Sequence, residues 1–207
     1  MRDRIIIYGC GGHARSVLST LQQKNEKREI VLVDYNAKDD EKILDCKVVR
    51  TMELGKNDKV ILAIGDNKKR TELYKKLCER NTKTYFMSVL ARTAIVGKGA
   101  KVGDGVFIGE NAYIGPEAKV GNNTIINTAS IIEHETLVGE NAHIAPNVTI
   151  CGRCKIGNNV FIGAGSVVKD NISIIDNVII GAGSVVVKNI FQTGVYIGIP
   201  ARKLRDE

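Results

Sequence analysis

From Val96 onward a branched aliphatic residue returns at every sixth position: Val96, Val102, Ile108, Ile114, Val120, Ile126, Ile132, Val138, Ile144, Ile150, Ile156, Ile162, Val168, Ile174, Ile180 and Val186. The next residue is glycine in nine of these sixteen places. Two positions before each Ile or Val the residue is usually small or β-branched, as at Ala94, Ala100, Val106, Ala112, Ala118, Thr124, Ser130, Thr136 and Ala142. An amphipathic helix repeats near 3.6 residues, and hairpins carry turn signals at variable spacing, so neither accounts for a strict period of six. The pattern predicts a parallel β-helix in which each six-residue unit supplies a short flat strand and a corner. Three units then close one triangular coil of about 18 residues. Stacked coils lie about 4.8 Å apart, with the branched residue pointing into the prism and glycine relieving the backbone at the corners. Residues 96–187 make roughly five such coils.

Before Val96 the pattern changes. Arg4-Ile5-Ile6-Ile7-Tyr8 reads as a buried strand and runs into the glycine turn Gly9-Cys10-Gly11-Gly12. A helix is predicted over Ser16–Lys24, with Val17, Leu18 and Leu21 on one face. Further strands are predicted over Glu29–Asp34 and Lys59–Gly65, followed by a lysine-rich helix from about Asn67 to Arg80. Such alternation of strand and helix points to a small parallel α/β, Rossmann-like unit. The expected division is therefore residues 1–90 for the α/β unit and 91–207 for the β-helix with its C-terminal tail.

Composition narrows the classes. Apolar residues make up 43% of the 207 and aromatics only 5%, without tryptophan, so the core is built from Ile, Val and Ala. No apolar run approaches the roughly 18 residues of a spanning helix. The apolar stretch near the start is too short for a signal peptide, and five scattered cysteines suit a reducing compartment, so a cytoplasmic location is expected. The net charge of +7 suits phosphate-bearing ligands. The clusters Lys68-Lys69-Arg70 and Lys75-Lys76 are read as the wet face of their helix, and without interleaved aromatics they do not indicate nucleic acid.

Three places carry candidate chemistry. Gly9, Gly11 and Ala14 fit G-x-G-x-x-G/A spacing between a strand and a helix, and Asp34 follows about 20 residues later. The unit is too short for a full dinucleotide fold, so a nucleotide-sugar or other small anion is favoured over NAD, with a bare tight turn as the alternative. In Glu133-His134-Glu135, Glu133 stands where glycine is expected and His134 lies at the corner between carboxylates, which suits either a general base or a solvated corner. Eighteen residues beyond His134 lies Gly152, whose backbone N–H is expected one strand spacing above the imidazole. A base beside a backbone donor is what acyl transfer requires. His143, nine residues from His134, falls half a coil away, on the order of 15 Å within one chain, so one site using both must straddle two subunits. Cys151-Gly152-Arg153-Cys154 has no second cysteine pair for zinc, and Cys154 falls in an inward small-residue slot. Only two histidines lie in the repeat, too few for a three-histidine zinc site, so no metal is expected.

The chain resembles the bacterial hexapeptide-repeat sugar acetyltransferases, which include UDP-4-amino-sugar N-acetyltransferases and sialic acid O-acetyltransferase-like proteins. The resemblance rests on Ile6-Ile7-Tyr8-Gly9 with Gly11-Gly12-His13, on Ala63-Ile64-Gly65-Asp66-Asn67, on Asn127-Thr128 followed by His134-Glu135, on Gly163-Ala164-Gly165-Ser166 and on Gly198-Ile199-Pro200-Ala201-Arg202. It implies a homotrimer of left-handed β-helices with sites between subunits, using acetyl-CoA as co-substrate. It further implies His134 as general base oriented by Glu135, the Gly152 N–H facing the thioester oxygen, and His143 contacting acetyl-CoA. CoA would run past Ala164 and Ala182. The nucleotide-sugar would be held by Gly11, Gly12, His13 and Asp34, with Gly65 and Asn127 completing the substrate site. The implied activity is N-acetylation of the 4-amino group of a nucleotide-linked sugar for surface glycan biosynthesis. Sugar O-acetylation is the alternative, and a non-catalytic sugar-nucleotide-binding protein the more distant one.

Overall fold

The computed structural model describes residues 3–80 and 84–206. The N-terminal unit contains β1 (Arg4–Tyr8), α1 (Gly12–Gln23), β2 (Glu29–Val33), β3 (Lys42–Ile43), β4 (Cys46–Val49), β5 (Lys59–Leu62), α2 (Asn67–Arg80) and β6 (Tyr85–Phe86). They form one sheet in the order β3-β4-β2-β1-β5-β6, parallel except for the β3–β4 pair. The central strand β1 is walled by apolar residues on both sides, with Ile5, Ile6 and Ile7 fully buried, as a parallel sheet between covering layers requires. α1 begins at Gly12, four residues before the start predicted from its apolar stripe. Gly11 is extended and enters the helix directly, with no side chain capping it and no acidic residue in the first turn. The first N–H groups of α1 are thus left free of a side-chain cap.

From Val89 the chain winds into a parallel β-helix whose three faces are sheets of two- to four-residue strands. Residues 18 apart are paired in register on every face: Phe107 with Ile125, Tyr113 with Ile131, Lys119 with Leu137. The period-six Ile and Val residues form the interior, and Ile108, Ile114, Ile126, Ile132, Ile144, Ile150 and Ile162 are completely buried. The small residues two places earlier close the prism around them. Three of the hydroxylic ones donate to a carbonyl 15 residues on, Thr124 to Gly139, Thr136 to Cys151 and Ser166 to Gly181, each at 2.9 Å, whereas Ser130 donates back to the Asn127 carbonyl at 2.6 Å. Cys154 occupies the same kind of slot, fully buried, with its thiol 3.1 Å from the Lys169 carbonyl.

The corner glycines act differently from the expectation. The left-handed residue of each corner is the third after the Ile or Val; asparagine is the commonest there, as at Asn111, Asn123, Asn141, Asn159 and Asn177, and glycine takes it at Gly99, Gly105, Gly165 and Gly183. The glycine directly after the Ile or Val answers to crowding instead. A Cβ on Gly121 would stand 2.7 Å from the backbone nitrogen of Glu140 in the next coil, and one on Gly115 would stand 2.6 Å from that of His134.

The outward columns differ from face to face. On the first face Val89, Phe107 and Ile125 are buried against Ile5, Ile7, Ala14 and Val17, so the α/β unit packs there. The second face presents Ile95, Tyr113, Ile131, Thr149, Val167 and Val185, partly or fully exposed. The third presents Lys101, Lys119, Leu137, Lys155 and Ser173. A hairpin of Gly194–Ile197 and Arg202–Arg205 extends the first face at the C-terminal end. Among the described residues no helix is long and apolar enough to cross a membrane. Because Ile126 is fully buried between rungs, Ile126→Ala is expected to cost about 2–5 kcal/mol, read as a lowered denaturant midpoint. An unchanged midpoint would show that the interior column does not carry the helix.

Candidate active site

His134 sits on the corner between the second and third faces, its side chain 44% exposed and therefore reachable by a substrate. Its Nδ1 lies 3.0 Å from Glu135 Oε2. Glu135 has a left-handed backbone at φ 60°, which turns its carboxylate back toward the ring. Arg153, one coil further along the same edge, donates from Nε to that same oxygen at 3.0 Å. The hydrogen bond from His134 and the charge of Arg153 hold the Glu135 carboxyl below its usual range, so it remains an acceptor across the neutral range. With Nδ1–H donating to Glu135, the lone pair of Nε2 is free to take a proton.

Gly152 lies over that ring. A Cβ placed on it would stand 2.6 Å from both Cε1 and Nε2 of His134, so only glycine lets the imidazole nest against the next corner. Gly152 is buried, and its N–H makes no hydrogen bond among the described residues, although its carbonyl accepts from Asn171 N at 3.0 Å. An unpaired main-chain donor beside a base is the arrangement that receives a developing oxyanion. The nearest thiol, Cys151, is pushed up by burial, then by Asp170 and Glu133, and so stays protonated rather than nucleophilic.

A second cluster forms where the α/β unit meets the first face. His143 Nδ1 lies 2.9 Å from the Gly65 carbonyl, and its Nε2 lies 3.4 Å from Asn127 Nδ2. Its ring stands edge-on to Phe161 and 6.4 Å from the ring of His13, which is itself edge-on to Phe107 at 4.8 Å. Burial is the main cause that drives His143 down to about 4 and His13 down to about 3, so both are neutral at physiological pH. His13 Nε2 is buried and has no hydrogen-bond partner among the described residues. His143, His13, Gly65 and Asn127 are thus brought together. Among the described residues no hydrogen bond, ion pair or ring contact joins them to the His134 cluster within one chain.

Gly11 and Asp34 share a separate cleft of about 300 Å³ with Cys10, Asn36, Ala37 and Glu41. Space is open in front of Gly11 and Gly12, where an added Cβ would meet nothing within 4 Å. Gly9 is the glycine that the backbone demands: its φ is +102°, and a Cβ would press on the Ala63 carbonyl at 2.8 Å. Ala164 and Ala182 stack on consecutive corners between the first and second faces, both exposed, with Gly183 N donating to the Ala164 carbonyl at 2.8 Å. The flanking Gly165 and Gly183 add no bulk, which leaves a smooth ledge beside Asn127.

Two arginines escaped the sequence reading. Arg153 was masked by its C-x-x-C surroundings, and only the 18-residue offset from Glu135 marks it. Arg70 corrects an expectation: Lys68, Lys69, Lys75 and Lys76 are exposed, but Arg70 is only 1% exposed. It turns inward because the carbonyls of Asn123, Asn141 and Ala142 face it from the β-helix and offer acceptors that a wet surface would not.

Comparison with known proteins bears on the fold and the class of reaction. Residues 4–77 match the PglD N-terminal domain, and residues 99–134 and 153–188 match the bacterial transferase hexapeptide repeat. The structure of a His-to-Asn variant of perosamine N-acetyltransferase from Caulobacter crescentus, in complex with CoA and GDP-perosamine, is 26% identical. The match covers 98% of this chain and 97% of that one, with a TM-score of 0.84. The acetyltransferase domain of PglB from Neisseria gonorrhoeae shares the fold at 23% identity and TM-score 0.91, over 98% of this chain and all of the other. WeeI from Acinetobacter baumannii does so at 21% identity and TM-score 0.87, over 97% and 99%. Fold and site therefore define an acyltransferase built on a left-handed parallel β-helix. The chain combines a match to the PglD N-terminal domain with bacterial transferase hexapeptide repeats, and over nearly its whole length it is similar to sugar acetyltransferases.

The nesting of ring and glycine yields a direct test. In Gly152→Ala the new methyl displaces the half-exposed imidazole rather than the backbone. Thermal stability should stay within about 1 kcal/mol of the parent, while kcat drops roughly 10²-fold. An active Gly152→Ala enzyme would remove the nesting from the mechanism.

Proposed function

We propose that this protein transfers the acetyl group of acetyl-CoA to the 4-amino group of a nucleotide-linked amino sugar, supplying a surface glycan pathway. The observation that carries this reading is the His134 ring, tethered to Glu135 and nested beneath the unpaired Gly152 N–H. The perosamine N-acetyltransferase neighbour, holding CoA and GDP-perosamine, supports an amino-sugar acceptor.

Acetyl-CoA is the acyl donor. The sugar amine attacks the thioester carbonyl while His134 Nε2 accepts its proton. The carbonyl oxygen becomes an oxyanion against the Gly152 N–H. Collapse of the tetrahedral intermediate breaks the C–S bond, and the imidazolium returns the proton to the departing CoA thiolate. The acceptor amine is the nucleophile, so no acyl-enzyme is needed. The N-terminal cleft holds the nucleotide, with the free first turn of α1 at Gly11-Gly12-His13 receiving phosphate and Asp34 facing the nucleoside end.

The working assembly is a homotrimer with sites between subunits. On each chain the α/β unit covers the first face and lysines dominate the third, whereas the second carries no charge in its outward column and is mostly apolar, with Ile95 60% and Val167 37% exposed beside Tyr113, Ile131, Thr149 and Val185. The His134 edge and the Asn127–Ala164 edge border that bare face on opposite sides. Threefold packing through the second face therefore sets one subunit's His134 beside its neighbour's His143, Asn127 and CoA ledge, joining the two clusters that a single chain keeps apart.

Thiol release from acetyl-CoA, measured against UDP-, GDP- and dTDP-4-amino sugars and sialic acids, tests the reaction. Turnover of a 4-amino sugar nucleotide that falls about 10²–10⁴-fold in His134→Ala is expected. Acetylation confined to sialic acid hydroxyls, or no turnover at all, would overturn the assignment. For the assembly, Val167→Asp should sediment as a folded monomer without activity, because three carboxylates would otherwise be buried around one axis. A stable, active Val167→Asp trimer would exclude the second face as the interface.

A further inference from the structure

Among the described residues Arg70 makes its hydrogen bonds to carbonyl oxygens, those of five main-chain peptides and of Asn67, rather than to a carboxylate. Nε donates to the Asn123 carbonyl at 3.0 Å. Nη1 donates to the carbonyls of Ile64 at 2.9 Å and Gly65 at 3.3 Å. Nη2 donates to Asn67 Oδ1 at 2.9 Å and to the carbonyls of Asn141 at 2.8 Å and Ala142 at 3.1 Å. One planar fork thus joins the Ile64–Asn67 loop of the α/β unit to two successive corners of the β-helix. Burial lowers it to about 10, with Asp66 acting against that shift, so it remains a cation at neutral pH. A lysine, with one nitrogen and no fork, cannot reach both sides at once.

The Gly65 carbonyl is shared: it accepts from Arg70 and from His143 Nδ1. We infer that Arg70 is a positioning residue that locks the Gly65 carbonyl as the acceptor for His143 Nδ1–H, and so presents the His143 Nε2 lone pair to Asn127 and the cleft between the two units. If the Gly65 peptide turned, the ring would lose that acceptor, the proton could move to Nε2, and an acceptor facing the cleft would become a donor. The charged and titratable groups facing His143 are Arg70 on α2 and His13 on α1; after burial, the positive charge of Arg70 is the further influence keeping His143 neutral. Arg70 touches no reacting atom in this scheme. It acts through Gly65 on His143.

The consequence for catalysis rests on the acetyl-transfer reading, but the tautomer is measurable without substrate. The chain has three histidines, so signals from ¹³C,¹⁵N-histidine-labelled full-length protein are assignable with His→Gln variants. In the parent, His143 should be a pure Nδ1–H tautomer that does not titrate between pH 5 and 8. In Arg70→Lys, which keeps the charge and loses the fork, both tautomers should appear. Acetyl transfer should then fall about tenfold or more in kcat/KM while the variant keeps the parent's far-ultraviolet circular dichroism, a split that general loss of fold would not produce. If Arg70→Lys does not fold, Arg70→Gln, whose short amide loses the fork and its hold on the Gly65 carbonyl, is read by the same signals. An Nε2–H tautomer in the parent, or an unchanged His143 signal in the folded variant, would overturn the inference. A parent with the Nδ1–H tautomer but no acetyl transfer would instead refute the proposed reaction and leave the Arg70 contact standing.

Discussion

Parallel pairing between residues 18 apart is the constraint on which the molecule rests. Every rung adds hydrogen bonds in register with the one below, so a side chain's column is fixed by its position in an 18-residue frame. Ile and Val at one position of each hexad fill the prism, and the position before them faces outward. Chemistry is then placed by offset alone. His134 and Gly152 meet because they are one coil apart, and Arg153 reaches Glu135 for the same reason.

The three outward columns give the chain a direction in space. Phe107 and Ile125 are sealed beneath the α/β unit, Lys101, Lys119 and Lys155 keep the third side in water, and Ile131 and Val167 leave the second side apolar. The candidate site residues border the apolar side: His134 on one edge, Asn127 and Ala164 on the other. The α/β unit does more than hold a ligand cleft. Through Gly65 it fixes the ring of His143, and through Arg70 it is tied to main-chain carbonyls that the β-helix geometry already holds rigid.

Much of this was legible in the chain itself. The period of six defined the β-helix, its inward residues and the His134–Gly152 stack, because regular pairing leaves little for tertiary context to decide. The parts that were not legible depend on contacts between units. Arg70 looked like one more surface cation beside Lys68 and Lys69, since nothing local reports that carbonyls from residues 123, 141 and 142 converge on it. The short strands at Lys42–Ile43 and Cys46–Val49 carry too few apolar residues to announce themselves. The corner glycines were visible, but their cause was not: crowding from the coil above is invisible along a single strand, whereas the asparagines that adopt the left-handed turn stand two positions further on.

Those asparagines have a second effect. Asn123 donates its amide to Asn141 at 2.7 Å and Asn159 to Asn177 at 3.1 Å, while beside them Asn122 bonds Glu140 and Asn158 bonds Asp176, all at an offset of 18. Such ladders make length a quantised property. A whole extra turn can be spliced in and every amide finds its mate, but the gain or loss of a single residue shifts each later side chain out of its column and strands the ladder. Divergence in such a chain proceeds by whole turns, or by loops extruded at the corners.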